Sequence, residues 1–212
     1  MAKKKMKYKR LVINVGKIKC LHSVLNQWNT VLHLYLEKSG FCDCHWWHIE
    51  RAIISSFAAA VWLNDGIALE EYSSEKKGGE EGELVTGRCD LYFQIGNIGF
   101  ACEAKKITCG IGGKTDPSKT ISLVKRELKK ACDDAKKLPK SEGRRLGMCF
   151  VVPRLIRTDI ENKNKEIIKF QKAVEKKIRY SSIAMVFPEN TKEKDKDEKF
   201  HYPGIILLIK EV

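Results

Sequence analysis

The sequence predicts an α/β (α+β) fold in which helices flank both faces of a mixed central β-sheet. Segments with apolar residues at helical spacing alternate with short apolar runs typical of strands along the chain. No linker between these segments is long enough to separate two domains, so residues 1–212 are expected to form a single domain.

The first helices are predicted from apolar residues recurring every three to four positions. Residues 22–39 show this spacing and stop at Gly40. Residues 46–64 are apolar around most of the helix circumference, so this helix is expected to be central. Three strands follow, at residues 67–72, 87–95 and 98–107.

The second half of the chain alternates between helix and strand patterns. Residues 121–138 form a lysine-rich amphipathic pattern, and residues 145–152 form a buried strand that Pro153 is expected to end. The remaining elements are a helix at 161–178 and closing strands at 182–187 and 204–212.

The charge of the chain favours a polyanionic partner. Forty Lys and Arg residues against 27 Asp and Glu give a net charge of +13, and nucleic acid is the leading candidate. Residues 1–10 are basic and are expected to form a flexible arm. There is neither a secretory signal nor an apolar run of about 20 residues, so we expect no membrane partner and a cytoplasmic location, with the eight cysteines reduced.

A hairpin at residues 88–106 places two acids opposite each other. Gly96 and Asn97 form a two-residue turn, in which glycine stands at the position a type II′ turn prefers. The sequence numbers of two facing residues then add up to 193. One face is apolar and is expected to lie on the core; its pairs are Ile95–Ile98, Phe93–Phe100, Leu91–Cys102 and Cys89–Ala104.

The other face of this hairpin pairs Asp90 with Glu103, and Lys105 follows on the same side. Facing like charges destabilise a sheet unless a positive charge lies between them. Carboxylate oxygens suit a hard cation such as Mg²⁺, and a neighbouring ammonium can orient water or stabilise charge on a phosphate. The alternative is a solvated hairpin whose acids pair with Arg88, Lys105 and Lys106.

Asp90 followed after twelve residues by Glu103-Ala104-Lys105 resembles the PD-(D/E)xK nuclease superfamily, which has the restriction-endonuclease-like fold. The order of elements over residues 45–152 also resembles the core of that family. The resemblance implies that Asp90, Glu103 and the Ala104 carbonyl hold Mg²⁺, for which Mn²⁺ can substitute, and that Lys105 positions or activates the attacking water. Gly87-Arg88-Cys89 precedes Asp90, where many members have proline.

Glu50 is the third candidate acid. On the predicted helix 46–64 it lies within an apolar stripe, where an unpaired carboxylate is costly. Some members of the resembled family bring a glutamate from this helix to the metal, which implies a catalytic and metal-binding role for Glu50. A buried salt bridge, for example with Arg88, is the alternative.

Two further motifs partly match known patterns, one for nucleotide binding and one for zinc binding. The sequence GIGGKT, 110–115, lacks the first glycine of a P-loop, because position 108 is Thr108, so nucleotide binding is rejected there. Four residues within positions 42–48 could bind zinc, although their spacing is tighter than in the usual zinc motifs. These residues are Cys42, Cys44, His45 and His48.

The leading hypothesis is a metal-dependent DNA endonuclease, for which the family resemblance also implies a homodimer. The alternative is a catalytically inactive nucleic-acid-binding or adaptor module of the same fold. Candidate nucleic-acid contacts are basic residues near the hairpin, in the glycine-rich loop and on helix 121–138. They are Arg88, Lys106, Lys114, Lys119, Lys125 and Lys129.

Overall fold

The structure is a computed structural model, and it describes residues 8–14, 16, 18–78, 84–113, 115–156, 161–188 and 199–212. The α-helices in these ranges are α1 (Leu21–Lys38), α2 (Glu50–Trp62), α3 (Pro117–Ala135) and α4 (Lys163–Lys177). The strands are β1 (Tyr8–Asn14), β2 (Ile67–Lys77), β3 (Leu84–Ile95), β4 (Ile98–Gly110), β5 (Arg144–Ile156), β6 (Ser182–Pro188), β7 (Phe200–His201) and β8 (Ile205–Glu211).

The strands form a mixed sheet with the order β1-β6-β8-β5-β4-β3-β2, and β7 pairs with β5 off this path. Strands β4 and β5 are parallel and are connected through α3, whereas the other pairs are antiparallel. The predicted α/β class with a mixed sheet is therefore confirmed.

Apolar side chains cover the sheet on both faces. On one face, Trp28 of α1 and Phe57 of α2 pack around Phe150 and Phe93 of the sheet. On the opposite face, α3 and α4 pack on a second buried cluster; its members include Val124, Leu128, Phe170, Val174, Val151 and Ile206. Because residues alternate between faces along a strand, the fully apolar runs of β5, β6 and β8 supply both clusters. This confirms helices on both faces.

Several predicted boundaries differ from the structure. Strand β1 was not predicted, and since it begins at Tyr8, residues 8–10 lie in the sheet rather than in an arm; residues 1–7 lie outside the described residues. Strand β5 continues past Pro153 to Ile156. The missing N–H of Pro153 is tolerated because the pairing of β5 with β8 ends at Val151.

The second helix also begins later than predicted. Residues His45–Trp47 form a separate 3-10 turn, and α2 starts at Glu50. Glu50 therefore lies in the first helical turn, where the helix dipole favours a negative charge. None of the helices in the described ranges is long and apolar enough to cross a membrane.

Helix α3 lies very close to β5 at Gly147. A Cβ atom at this position would be 2.6 Å from the backbone nitrogen of Cys132 and 2.7 Å from its Sγ. We expect Gly147→Ala to push α3 away from the sheet and to lower the free energy of unfolding by about 2–3 kcal/mol, measured by chemical denaturation.

Gly99→Ala is the control for this prediction. The added methyl group would meet the Tyr92 hydroxyl at 2.8 Å, and the end of that side chain can move, so a smaller loss of stability is expected. Wild-type stability in Gly147→Ala would contradict the close contact between α3 and β5.

Candidate active site

The candidate site lies where β3 and β4 separate. The predicted register of β3 and β4 is confirmed from Ile95–Ile98 to Leu91–Cys102, where the pairing of these strands stops. Strand β4 remains paired with β5 as far as Gly110. Gly96 has a φ of 55°, as the predicted turn requires. The next predicted pair, Asp90–Glu103, thus lies just beyond the paired part of the two strands.

Asp90 occupies the gap between the two strands. Its Oδ2 accepts a hydrogen bond of 2.8 Å from the Ala104 backbone N–H, which has lost its partner on β3. The side chain of Asp90 therefore bonds the edge of β4 in place of a backbone carbonyl. This arrangement replaces the direct cross-strand contact between two carboxylates that the hairpin register predicted.

Glu50 bonds the same edge of β4. Its carboxylate accepts a hydrogen bond from the Lys106 backbone N–H. Residues two apart on a strand are separated by about 6.6 Å, and the N–H and C=O of one residue point to the same edge. The carboxylates of Asp90 and Glu50 therefore flank the carbonyl of Ala104 along the free edge of β4. The predicted third acid does reach the hairpin, and Arg88 is not its partner.

Glu103 is buried next to this edge. Its side chain is 5% exposed, and its Oε1 accepts a hydrogen bond of 2.6 Å from Lys76 Nζ. Burial raises the pKa of Glu103 to about 7; the hydrogen bond from Lys76 opposes this shift, and the negative charge of Asp90 adds to it. The site therefore holds a carboxylate whose charged form is disfavoured by its burial.

Lys105 lies on the same side of β4 as Glu103. Its Nζ is 3.3 Å from Asp134 Oδ2 on α3. Burial acts to lower the pKa of Lys105, but the charges of Asp90, Asp134 and Glu50 together raise it. Lys105 is thus a protonated ammonium surrounded by three carboxylates. The structure brings together all four residues predicted as catalytic: Glu50, Asp90, Glu103 and Lys105.

The ribbon of β2 and β3 bends over Glu103. Glu71 has a φ of 56°, although it is not glycine, and the alternation of faces breaks at this point and at its neighbour Asp90. Beyond the break, Tyr72 and Ser74 donate hydrogen bonds to Glu142, and the Lys77 backbone N–H donates to the Lys137 carbonyl. The bend brings Lys76 over the Glu103 carboxylate.

The same bend corrects the predicted position of Cys89. We expected Cys89 to share the apolar face of Leu91 and Phe93, but it is buried with Ala101, Ala135 and Leu138 near the end of α3. Ala104 does lie on the predicted core face. A regular ribbon would put Cys89 on the side of Leu91 and Phe93, and the break at Asp90 reverses the side to which Cys89 points.

The donor set fits a hard divalent cation in its chemistry. The groups are carboxylate oxygens and one backbone carbonyl, which suit Mg²⁺, and this ion keeps water and substrate oxygens in its remaining positions. The described residues contain no cluster of three or more His, Cys, Asp or Glu side chains close enough to hold a metal.

Among the described residues, no group of three or more His, Cys, Asp or Glu side chains is placed to hold zinc either. Cys42 is exposed, whereas Cys44 is buried. His48 Nε2 is 3.0 Å from Asp43 Oδ2 and 3.2 Å from the Tyr35 hydroxyl, and the ring of His45 packs edge-on against Tyr35. The histidines are thus engaged in a polar and aromatic cluster with Tyr35 and Asp43.

The predicted nucleic-acid contacts fall into different surroundings. Arg88 forms an ion pair with Glu71, and Lys106 donates hydrogen bonds to the Trp47 and His48 carbonyls. Burial lowers the pKa of Lys106. Lys119 and Lys125 are exposed on α3.

The two remaining predicted contacts differ again. Lys129 pairs with Asp133 at 2.5 Å, and Lys114 lies outside the described residues. The GIGGKT segment leads into α3, whose first turn is capped from within the chain, because Asp116 Oδ1 accepts a hydrogen bond of 2.8 Å from the Ser118 N–H.

Two residues of the site were missed by the sequence analysis. Lys76 lies beyond the predicted end of β2 at residue 72, and extending that strand by its charged residues would have included it. Asp134 belongs to a helix with many lysine–acid pairs, and nothing in its spacing separates it from its neighbours.

Comparisons with family models, with curated proteins and with solved structures give no match for this chain.

Glu103 should make stability depend on pH. Its ordinary pKa is 4.5 and its value in the folded protein is about 7, so the folded state favours the protonated form. The resulting stabilisation is complete below about pH 4.5 and is lost as the pH rises through about 7, a change of roughly 3 kcal/mol. We expect Glu103→Gln to flatten this part of the profile, measured by urea denaturation at successive pH values.

The exposed Glu75 supplies the control for this pH dependence. Glu75→Gln removes one carboxylate from the same strand as Lys76 and should leave the pH profile unchanged. An identical slope in wild type and Glu103→Gln would show that another group is responsible.

Proposed function

We propose that the chain is a metal-dependent endonuclease that hydrolyses phosphodiester bonds in DNA. The observation that carries the proposal is the convergence of Asp90, Glu103, Glu50 and Lys105 at the point where β3 and β4 separate. The net charge of +13 favours a polyanionic substrate. The PD-(D/E)xK resemblance contributes the choice of DNA.

The chain's oxygen ligands would be the carboxylates of Asp90, Glu103 and Glu50 and the Ala104 carbonyl. Bound Mg²⁺ supplies charge neutralisation of the phosphate and a lowered pKa for water. Lys76 must leave the Glu103 oxygen it now contacts, because a cation and an ammonium compete for the same lone pairs.

Lys105 has the task of orienting the attacking water and stabilising charge on the phosphate. Asp134 holds its Nζ at 3.3 Å and therefore acts as a positioning residue. Water adds to phosphorus, the bond from phosphorus to the 3′ oxygen breaks, and the products carry a 5′-phosphate and a 3′-hydroxyl. A second copy of the chain is needed for simultaneous cleavage of both strands, so a homodimer is part of the proposal.

The direct test is incubation of the purified chain with supercoiled, linear, branched and single-stranded DNA in Mg²⁺, Mn²⁺ or a chelator. We expect nicking or cutting only with the metals, and no cutting by Asp90→Asn. The surface variant Asp65→Asn, which removes an exposed acid outside the site, should cut normally. Full activity in the chelator would refute a metal-dependent mechanism.

A catalytically inactive nucleic-acid-binding module is the second candidate. It is favoured by the ion pairs Lys76–Glu103 and Lys105–Asp134, which give Glu103 and Lys105 partners within the chain. Calorimetry separates the two candidates. DNA binding that weakens with salt, together with no heat of binding for Mg²⁺ or Mn²⁺, would identify the inactive module.

A further inference from the structure

A basic surface lies on the flank of α3 that faces away from the candidate active site. It is a groove of about 610 Å³ between α3, the end of α4 and the end of β8, which is within the size range of ligand sites. We call it the α3–β8 groove. Its basic lining residues are Lys125, Lys129, Lys136, Lys177, Arg179 and Lys210.

The acids of the α3–β8 groove are already paired. Asp133 contacts Lys129 at 2.5 Å and Lys136 at 2.8 Å, and Glu211 is bound by Arg144, with Nε at 2.6 Å. Only these two acidic side chains stand among the described residues that line the groove. The groove therefore carries an excess of positive charge.

The side chains of four of the cations form no ion pair or hydrogen bond with the described part of the chain. They are Lys125, Lys177, Arg179 and Lys210. They come from three different elements, so their convergence does not follow from the lysine repeat of one helix. Like charges gathered around one concave surface repel each other unless an anion binds between them.

The walls of the groove are held by the core. Leu128 and Ile178 belong to the buried cluster beneath α3 and α4, and the contact at Gly147 fixes the height of α3 above β5. A groove with rigid apolar walls and long basic side chains at its rim suits a chain of phosphates, because each ammonium can follow one phosphate while the walls stay in place.

Helix α3 separates the groove from the candidate active site. Asp134 points to Lys105 of the site, and the preceding residue Asp133 lines the groove. Successive helical residues point about 100° apart. A nucleic acid that contacts both surfaces must therefore cross the C-terminal half of α3.

We infer that the α3–β8 groove binds the phosphate backbone of a nucleic-acid strand outside the region where cleavage takes place. The inference rests on the proposed function only for the identity of the polyanion. The groove would hold the strand through Lys125, Lys177, Arg179 and Lys210, and Lys129 and Lys136 would add to the potential.

The test measures DNA binding by the full chain in a chelator, by fluorescence anisotropy at several salt concentrations. The groove variant combines Lys125→Gln, Lys177→Gln, Arg179→Gln and Lys210→Gln. The control variant also removes four charges, through substitutions of exposed residues away from the groove: Lys19→Gln, Lys38→Gln, Lys140→Gln and Lys165→Gln.

We expect the groove variant to lose at least about tenfold in affinity and to reduce the slope of log K against log salt by about 3.6, since each of four duplex phosphate contacts contributes about 0.9. The control variant should change that slope by less than about 1. Equal losses in both variants, or no loss in the groove variant, would overturn the inference. Displacement of the DNA by orthophosphate at constant ionic strength would also overturn it, by assigning the groove to free phosphate.

Folding of each variant is checked by circular dichroism. If the fourfold groove variant does not fold, Lys125→Gln with Arg179→Gln is measured instead, and about half the change in slope is expected. Cleavage is assayed separately with Mg²⁺. If the wild type binds DNA through the groove but does not cleave it, the proposed nuclease activity is refuted and the groove inference stands. If the wild type cleaves DNA and the groove variant binds DNA equally well, the groove inference is refuted and the proposed nuclease activity stands.

Discussion

Asp90→Asn is expected to reduce Mg²⁺-dependent DNA cleavage by about 1000-fold, equivalent to about 4 kcal/mol of transition-state stabilisation. The asparagine side chain keeps an oxygen that can accept the hydrogen bond from the Ala104 N–H, so the edge of β4 stays satisfied. The substitution removes the negative charge, and with it an anionic ligand of the proposed metal site. Single-turnover cleavage at saturating protein measures the loss.

The Asp90→Asn variant has a second readout that does not depend on activity. The charge of Asp90 is one of the causes that raise the pKa of Glu103, so this pKa should fall in the variant. Titration of Glu103 by NMR measures the shift. Normal cleavage with a lowered Glu103 pKa would mean that Asp90 shapes the electrostatics of the site and has no part in the reaction.

Lys105→Met is expected to slow cleavage by about 100- to 1000-fold while leaving metal binding intact. Methionine keeps most of the apolar volume of the side chain but loses the ammonium that faces Asp90, Asp134 and Glu50. Stabilisation by Mg²⁺, measured as the rise of Tm with metal concentration, should remain or increase, because a positive charge has left the site.

Lys172→Met is the matched control for Lys105→Met, since Lys172 is exposed on α4 and lies outside the site. It should cut DNA at the wild-type rate. Loss of both cleavage and Mg²⁺-induced stabilisation in Lys105→Met would instead assign Lys105 to the architecture of the site.

Local patterns were sufficient to predict the turn and register of the hairpin. Gly96 sets the turn, and alternation then fixes each pair up to Leu91–Cys102. The separation of the strands at Asp90 was not predictable in this way, because it depends on the bend of the β2–β3 ribbon and on contacts of that ribbon with Glu142 and Lys137. These contacts join segments far apart in sequence.

The partners of individual charges were the least predictable part. Arg88 and Lys106 are basic, as nucleic-acid contacts usually are. In the structure, however, Arg88 pairs with Glu71, and Lys106 donates hydrogen bonds to the carbonyls of Trp47 and His48. Glu50 reached the site although the predicted start of its helix was four residues too early, because the angular position of a residue on a helix depends little on where the helix begins.

The position of β8 in the sheet affects how the protein is made. This strand lies between β6 and β5, although it follows every other strand of the described residues in the sequence. On the ribosome, β6 cannot join β5 until residues 205–211 have been synthesised and have left the exit tunnel. The edges of β5 and β6 that pair with β8 therefore stay unpaired on the nascent chain, and we expect chaperones to bind it there before the sheet closes.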